Sequence, residues 1–239
     1  MNTVDRSEAI QPKCAIRVPA SEGYRLWSRT YDSCKNPLLA LEFRTLSHKL
    51  DLLAGMDFLD VACGTGRWMI NASTRGARVF GADLSFEMLR VAAEKESIKG
   101  CLVRADGRRL PFSDHCADMA ICSFSVGYMC NPDRLISELG RVVRHGGTIL
   151  ISDLHPRAHQ MGWRRSFRSG ADVYEIKSSA HSAGRLIHSG QAAGLRLKEI
   201  FEPRISEPER RLMQEAGKAE LFDEVSAIPA VLIVEWERP

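Results

Sequence analysis

The chain has 239 residues, 44% of them hydrophobic and 26% charged, an ordinary globular composition that excludes a disordered, collagen-like or coiled-coil protein. Thirty-three Lys and Arg face thirty Asp and Glu, leaving a formal net charge of +3. The two signs are interleaved, so no basic stripe marks a nucleic-acid backbone, and the longest unbroken apolar run, Ala230 to Val234, is far short of the roughly 20 residues that cross a bilayer.

Residues 1–20 show no hydrophobic period and read as an N-terminal arm. They mix Asp5 and Glu8 with Arg6, Lys13 and Arg17 and lack the apolar stretch of a signal peptide. Seven cysteines at positions 14, 34, 63, 101, 116, 122 and 130 contain no C-x-x-C spacing. That suits reduced thiols in the cytoplasm, with no disulfide framework and no metal centre.

Residues 21–239 read as a single domain. Its first part, 21–54, is a helical cap: one helix over 21–34, then Asn36-Pro37 as the cap and first-turn proline of a helix over 38–53. Apolar runs at 58–62, 77–82, 101–105, 117–124 and 148–152 then alternate with amphipathic segments at 67–74, 86–96 and 133–143, the last stopped by His145-Gly146-Gly147. Short apolar strands separated by helices predict an α/β fold, a doubly wound parallel sheet covered on both faces. Further on, 182–193 reads as a helix, 195–201 as a strand, 207–225 as a mainly helical insert and 230–237 as a final strand, the two late strands pairing antiparallel at the sheet edge. The connections 155–180 and 203–229 have the length of lids or binding loops.

Carboxylates fall where those strands end. Asp60, Asp83, Asp106 and Asp153 each sit in or just after the carboxyl end of a predicted strand, the first three equally spaced. Open α/β sheets bind ligands outside that edge. Gly64 and Gly66 after the first strand permit close ligand approach, but Met69 occupies the position of the third glycine of G-x-G-x-x-G, which weakens a pyrophosphate reading. Asp83 is placed to accept a ribose diol. Asp106 is placed to accept the exocyclic amine of an adenine wedged between Leu84 and Met88. Adenosine without a required pyrophosphate is the implied ligand.

Phe58 to Gly66, Gly81-Ala82-Asp83-Leu84-Ser85, Ala105-Asp106-Gly107 through Leu110-Pro111-Phe112, and Arg141 to Thr148 resemble, in order, the motifs of class I S-adenosylmethionine-dependent methyltransferases, especially the ubiquinone/menaquinone-biosynthesis type. The resemblance implies a Rossmann-like, seven-stranded, mostly parallel sheet with an antiparallel last strand, and S-adenosylmethionine as methyl donor to a small-molecule acceptor. Carried over by position, Asp60 and the loop Ala62, Cys63, Gly64 and Gly66 line the methionine moiety, Asp83 takes the ribose, Leu84 and Met88 flank the base, and Asp106 and Gly107 hold its edge. Ser123 and Phe124 lie near the transferring methyl. Ala62 replaces a glycine common in the family, a change expected to be tolerated. Trp27 to Asp32 resembles the aromatic segment that closes over the donor, placing Tyr31, with Arg29, at its carboxylate.

His155, after the fifth strand, is the candidate general base, ahead of His181 and Tyr128. Trp163, Phe167 and Tyr174 are candidates for an acceptor pocket, with Arg164, Arg165 and Arg168 beside them for an anionic acceptor. Two other readings stay open: a nicotinamide-dependent oxidoreductase, which Met69 argues against, and a nucleoside-binding protein without catalysis.

Overall fold

The computed structural model describes residues 15–52 and 54–239; residues 1–14 of the expected arm, Cys14 among them, lie outside the described residues. A short strand β1 (Ile16–Val18) replaces the end of that arm and leads into helix α1 (Ala20–Trp27) and then α2 (Pro37–Leu46). The helix expected over 21–34 stops at Trp27 because the hydroxyls of Ser28 and Thr30 donate back to the carbonyls of Arg25 and Trp27, competing with the helical ladder. The start of α2 follows the sequence signal: Asn36 Oδ1 accepts from the Leu38 N–H at 3.0 Å, with Pro37 in the first turn.

The chain continues through β2 (Asp57–Val61), α3 (Arg67–Ser73), β3 (Arg78–Asp83), α4 (Phe86–Ala93), β4 (Leu102–Arg104), β5 (Ala117–Ser123), α5 (Asp133–Val142) and β6 (Val143–Leu154). After these come α6 (Pro156–Gln160), β7 (Arg165–Ser169), β8 (Asp172–Ile176), α7 (Ala183–Ala192), β9 (Arg196–Phe201), α8 (Glu207–Glu215), α9 (Phe222–Ser226) and β10 (Val231–Glu237). The main sheet has seven strands in the order β4-β3-β2-β5-β6-β10-β9. All run parallel except β10, which is antiparallel to both β6 and β9. The chain reverses its direction of travel across the sheet between β2 and β5, and the carboxyl ends there form the crevice that such a switch creates.

The two late strands pair antiparallel at the sheet edge as expected, with β10 buried along nearly its whole length between β6 and β9, and β9, largely exposed, as the edge strand. One expectation needs correction. The His145-Gly146-Gly147 stop is a bulge within β6, where Ala117 pairs with Val143 and Met119 with Thr148, and Gly146 takes φ +76°.

Neighbouring strand residues point to opposite faces. Phe58 and Ile121 join Leu41, Trp68 and Met69 in one core layer under α2, α3 and α4. Leu59 and Ala120 join Leu135, Leu139, Leu186 and Trp236 in the other, under α5 and α7. Met69 packs so tightly on Gly81 of β3 that a Cβ there would collide with its sulfur. Helix and sheet therefore approach through a glycine on the strand, not one on the helix.

The connection 155–180, which has the length of a lid or binding loop, holds α6 and the hairpin β7–β8, which pairs antiparallel within itself and parallel with β1 through Ile16↔Tyr174. Phe167 stacks between Trp27, 4.8 Å away, and Tyr174, 5.4 Å away. This small sheet and α1 thus share an aromatic core over the crevice. Among the described residues no helix is long and apolar enough to cross a membrane.

Candidate active site

A cleft of about 880 Å³ opens at the carboxyl ends of β2, β3, β4 and β5 under this aromatic cap. Of the residues singled out from the sequence, Tyr31, Asp60, Ala62, Cys63, Gly64, Asp83, Leu84, Met88, Asp106, Gly107, Ser123 and Phe124 line it. Gly66 does not; with φ +85° it turns the chain into α3, and a Cβ there would collide with Ile98.

The loop after β2 needs left-handed backbone at three places, Ala62 (φ +60°), Gly64 (φ +56°) and Gly66. An alanine held there costs on the order of 1–2 kcal/mol, partly offset by glycine's larger loss of entropy on folding. Ala62→Gly is therefore expected to stabilise the protein by about 0.5–1 kcal/mol in urea unfolding. A loss of stability would show that this backbone is not strained. Phe124, at the opposite wall, also adopts a positive φ of +49°.

The three acids differ in state. Asp83 ties the site together: its Oδ2 accepts from the Gly64 N–H and its Oδ1 from the Ser85 N–H, both at 2.7 Å. Burial raises its pKa and these backbone donors oppose the rise. Asp106 is clasped by Arg108, with Nη2 to Oδ2 at 2.6 Å, and this guanidinium holds its carboxyl below the usual range. Asp60 is only 2% exposed, and its Oδ1 has no partner. Burial pushes its carboxyl up to about 8, with Arg67 opposing and Asp83 and Glu42 adding to the rise.

Asp153 does not belong to this row. It accepts from the Gly127 N–H at 2.6 Å and pairs with the buried guanidinium of Arg165. That guanidinium lies 4.6 Å from the Tyr128 ring and 5.7 Å from Phe124, fastening the cap hairpin to the segment after β5. Tyr128 lines the cleft and shares a 2.7 Å hydrogen bond with the Tyr24 hydroxyl of α1.

His155 lies outside the cleft, which removes the geometric basis for its role as base. Its Nδ1 caps α6 by accepting from the Arg157 N–H at 3.0 Å, and its Nε2 is 3.1 Å from Glu202. His181 is likewise spent on the Met129 carbonyl at 2.8 Å. Trp163, Phe167 and Tyr174 pack inside the cap and against α6, not in the cleft. Arg164 donates to the carbonyls of His159 and Trp163, and Arg29 is absent from the lining.

Three charged side chains in or behind the cleft wall are not marked by any strand-end or glycine-loop signal in the sequence. Arg67, the first residue of α3, lines the cleft and donates to Ser123 Oγ at 3.1 Å and to Glu42. Glu42 is fully buried on α2 and also accepts from Trp68 Nε1 at 3.3 Å, from Ser123 Oγ at 2.7 Å and from Ser152. The available signal was a carboxylate inside the apolar run 38–43 of α2. Asp32 accepts from Thr65 Oγ at 2.6 Å and pairs with Lys95 at 2.7 Å, joining the segment after α1 to the glycine loop.

Residues 59–151 match the methyltransferase domain family. A demethylmenaquinone methyltransferase from Thermobifida fusca is 35% identical over 152 residues, covering 56% of this chain and 64% of that protein. The chain thus spans somewhat less than two thirds of this relative. A crystal structure of an S-adenosylmethionine-dependent methyltransferase from Mesorhizobium loti superposes with a TM-score of 0.66 at 22% identity, covering 85% of this chain and all of that one. The [4+2]-cyclase SpnF superposes equally well, TM-score 0.66 at 20% identity, over 95% of this chain and 99% of its own.

Proposed function

We propose that the protein binds S-adenosylmethionine in this cleft and transfers its methyl group to a small-molecule acceptor, a reading supported by the match of residues 59–151 to the methyltransferase domain family and by the likeness to the demethylmenaquinone methyltransferase. Fold alone does not carry the reading, since the cyclase shares the architecture. The observation that does is the convergence of Asp60, Asp83 and Asp106 with a left-handed glycine loop on one cleft. These residues suit the donor's parts: Asp83 the ribose diol, Asp106 the adenine amine beside Leu84 and Met88, and the unpartnered Asp60 oxygen the cationic methionine end.

Bound there, the donor supplies a sulfonium whose methyl carbon is already electrophilic. The protein's share is to hold an acceptor in line at near-attack distance, which in well-oriented systems contributes up to roughly 7–11 kcal/mol. Tyr24, Tyr31, Phe124 and Tyr128 line the cleft and give it an aromatic wall. Burial pushes the Tyr31 hydroxyl up to about 12 and raises those of Tyr24 and Tyr128. All three stay protonated near neutral pH and serve as hydrogen-bonding groups instead of bases. An acidic acceptor, which brings its own ionised nucleophile, fits such a wall. An acceptor of the class in the relative's name, a demethylmenaquinone, would find aromatic faces to lie against there. Six free cysteines among the described residues support a reducing, cytoplasmic setting.

Calorimetry with S-adenosylmethionine and S-adenosylhomocysteine tests the donor. Saturable heat at micromolar ligand is expected, together with no quenching of NADH fluorescence. Absence of binding at millimolar ligand would discard the proposal.

A further inference from the structure

Among the described residues, two buried polar atoms without a partner belong to side chains that line the cleft, Asp60 Oδ1 and Arg67 Nη1. They have opposite signs. Each is a group that a protein interior normally pairs, so the complementary ligand brings both a cationic donor and an anionic acceptor to neighbouring points. The α-amino-acid end of the proposed donor has that chemistry.

Accepting that the cleft is a donor site, we infer that Arg67, positioned by the buried Glu42, anchors the donor's carboxylate. The residues expected at that carboxylate fit it less well: Arg29 is exposed and outside the lining, and Tyr31 offers only a neutral hydroxyl. The Arg67 guanidinium is held on three sides. Its Nη2 donates to Glu42 and to Ser123 Oγ, and its plane lies 4.8 Å from the Trp68 ring. A planar guanidinium so fixed holds the two N–H groups of its unpartnered Nη1 in a set orientation. Ser123 ends β5 in the lining of the cleft, where the family resemblance puts the transferring methyl, so the same arginine is also tied to that wall. Glu42 acts through Arg67 as a positioning residue: it comes from α2, outside the matched domain, and its two oxygens join Arg67, Trp68, Ser123 and Ser152.

The test measures three ligands by calorimetry on the full chain: S-adenosylhomocysteine, its decarboxylated analogue, and 5′-methylthioadenosine, which lacks the amino-acid arm. Wild type should prefer S-adenosylhomocysteine to the decarboxylated analogue by about 30-fold, a typical value for a charge-assisted contact. Arg67→Met should abolish that preference and leave methylthioadenosine binding within about threefold. Arg67→Lys, which keeps the charge and most of the stem, should retain a preference of a fewfold. Glu42→Gln should weaken S-adenosylhomocysteine about tenfold while sparing methylthioadenosine. An Arg67→Met variant that keeps the preference, or that loses all three ligands equally, overturns the inference. So does a wild type indifferent to the carboxylate, a result that needs no variant to fold. If none of the three ligands binds wild type, the donor reading itself has failed and takes this anchor with it.

Discussion

Asp83→Ala is expected to weaken S-adenosylhomocysteine binding about 100-fold or more and to lower the stability of the free protein. Each Asp83 oxygen already accepts one backbone N–H, from Gly64 or from Ser85, the residue lines the cleft, and an ionised carboxylate oxygen can accept more than one hydrogen bond. Two ribose hydroxyls donating to that carboxylate are worth on the order of 1.5 kcal/mol or more each, so losing both costs about 3 kcal/mol, or about 100-fold in affinity. Alanine also leaves two N–H groups without their acceptor and frees the glycine loop from the next helix's cap, which costs roughly 1–3 kcal/mol of folding stability. Calorimetry and urea unfolding read the two effects separately. A loss of affinity below threefold would mean that the sugar is held elsewhere.

The affinity for S-adenosylhomocysteine should also rise steeply with pH, approaching tenfold per unit between pH 6 and pH 8. In the free protein, burial pushes the Asp60 carboxyl up to about 8, so the group is mostly neutral at pH 7. A bound ammonium beside its unpartnered oxygen favours the ionised form, so binding releases a proton. The charged and titratable groups facing Asp60 are Arg67, Asp83, Glu42, Cys63 and Cys122. Asp83, also raised by burial, adds in the same direction. Titrations at pH 7 in two buffers of different ionisation enthalpy should report close to one proton released, and Asp60→Asn should remove most of this release. The sign on folding is the reverse. A carboxyl raised in the folded state contributes stability that is full below the unfolded value, about 3.9, and is lost as pH rises through about 8. Asp60→Asn should therefore gain stability relative to the parent on going from pH 5 to pH 8. A flat binding profile in the parent protein would show that Asp60 meets no cation.

How much of the site was legible follows from where each signal lies. Asp60, Asp83 and Asp106 could be placed because each is attached to its own apolar run, and a parallel α/β sheet puts all carboxyl ends on one edge. Asp153 has the same local signature, yet its carboxylate is taken by Arg165 from the cap hairpin, a partner that no local pattern names. His155 has the chemistry of a base and a strand-end position, but a proline follows it and a helix starts there, so its ring is spent as a cap. Glu42 and Arg67 are adjacent only after α2 folds across the ends of β5 and β6.

The linear order of residues by itself determined the alternation of strands and helices, the left-handed loop after β2 and the row of acids. Those features arise from periodicity, glycine freedom and spacing within a few residues. The tertiary structure alone decided that β10 enters between β6 and β9, that β1, β8 and β7 build an aromatic cap, and which buried charges meet. Strand pairing and charge burial join segments far apart in the chain, and their free energy depends on what each group faces once water has been removed.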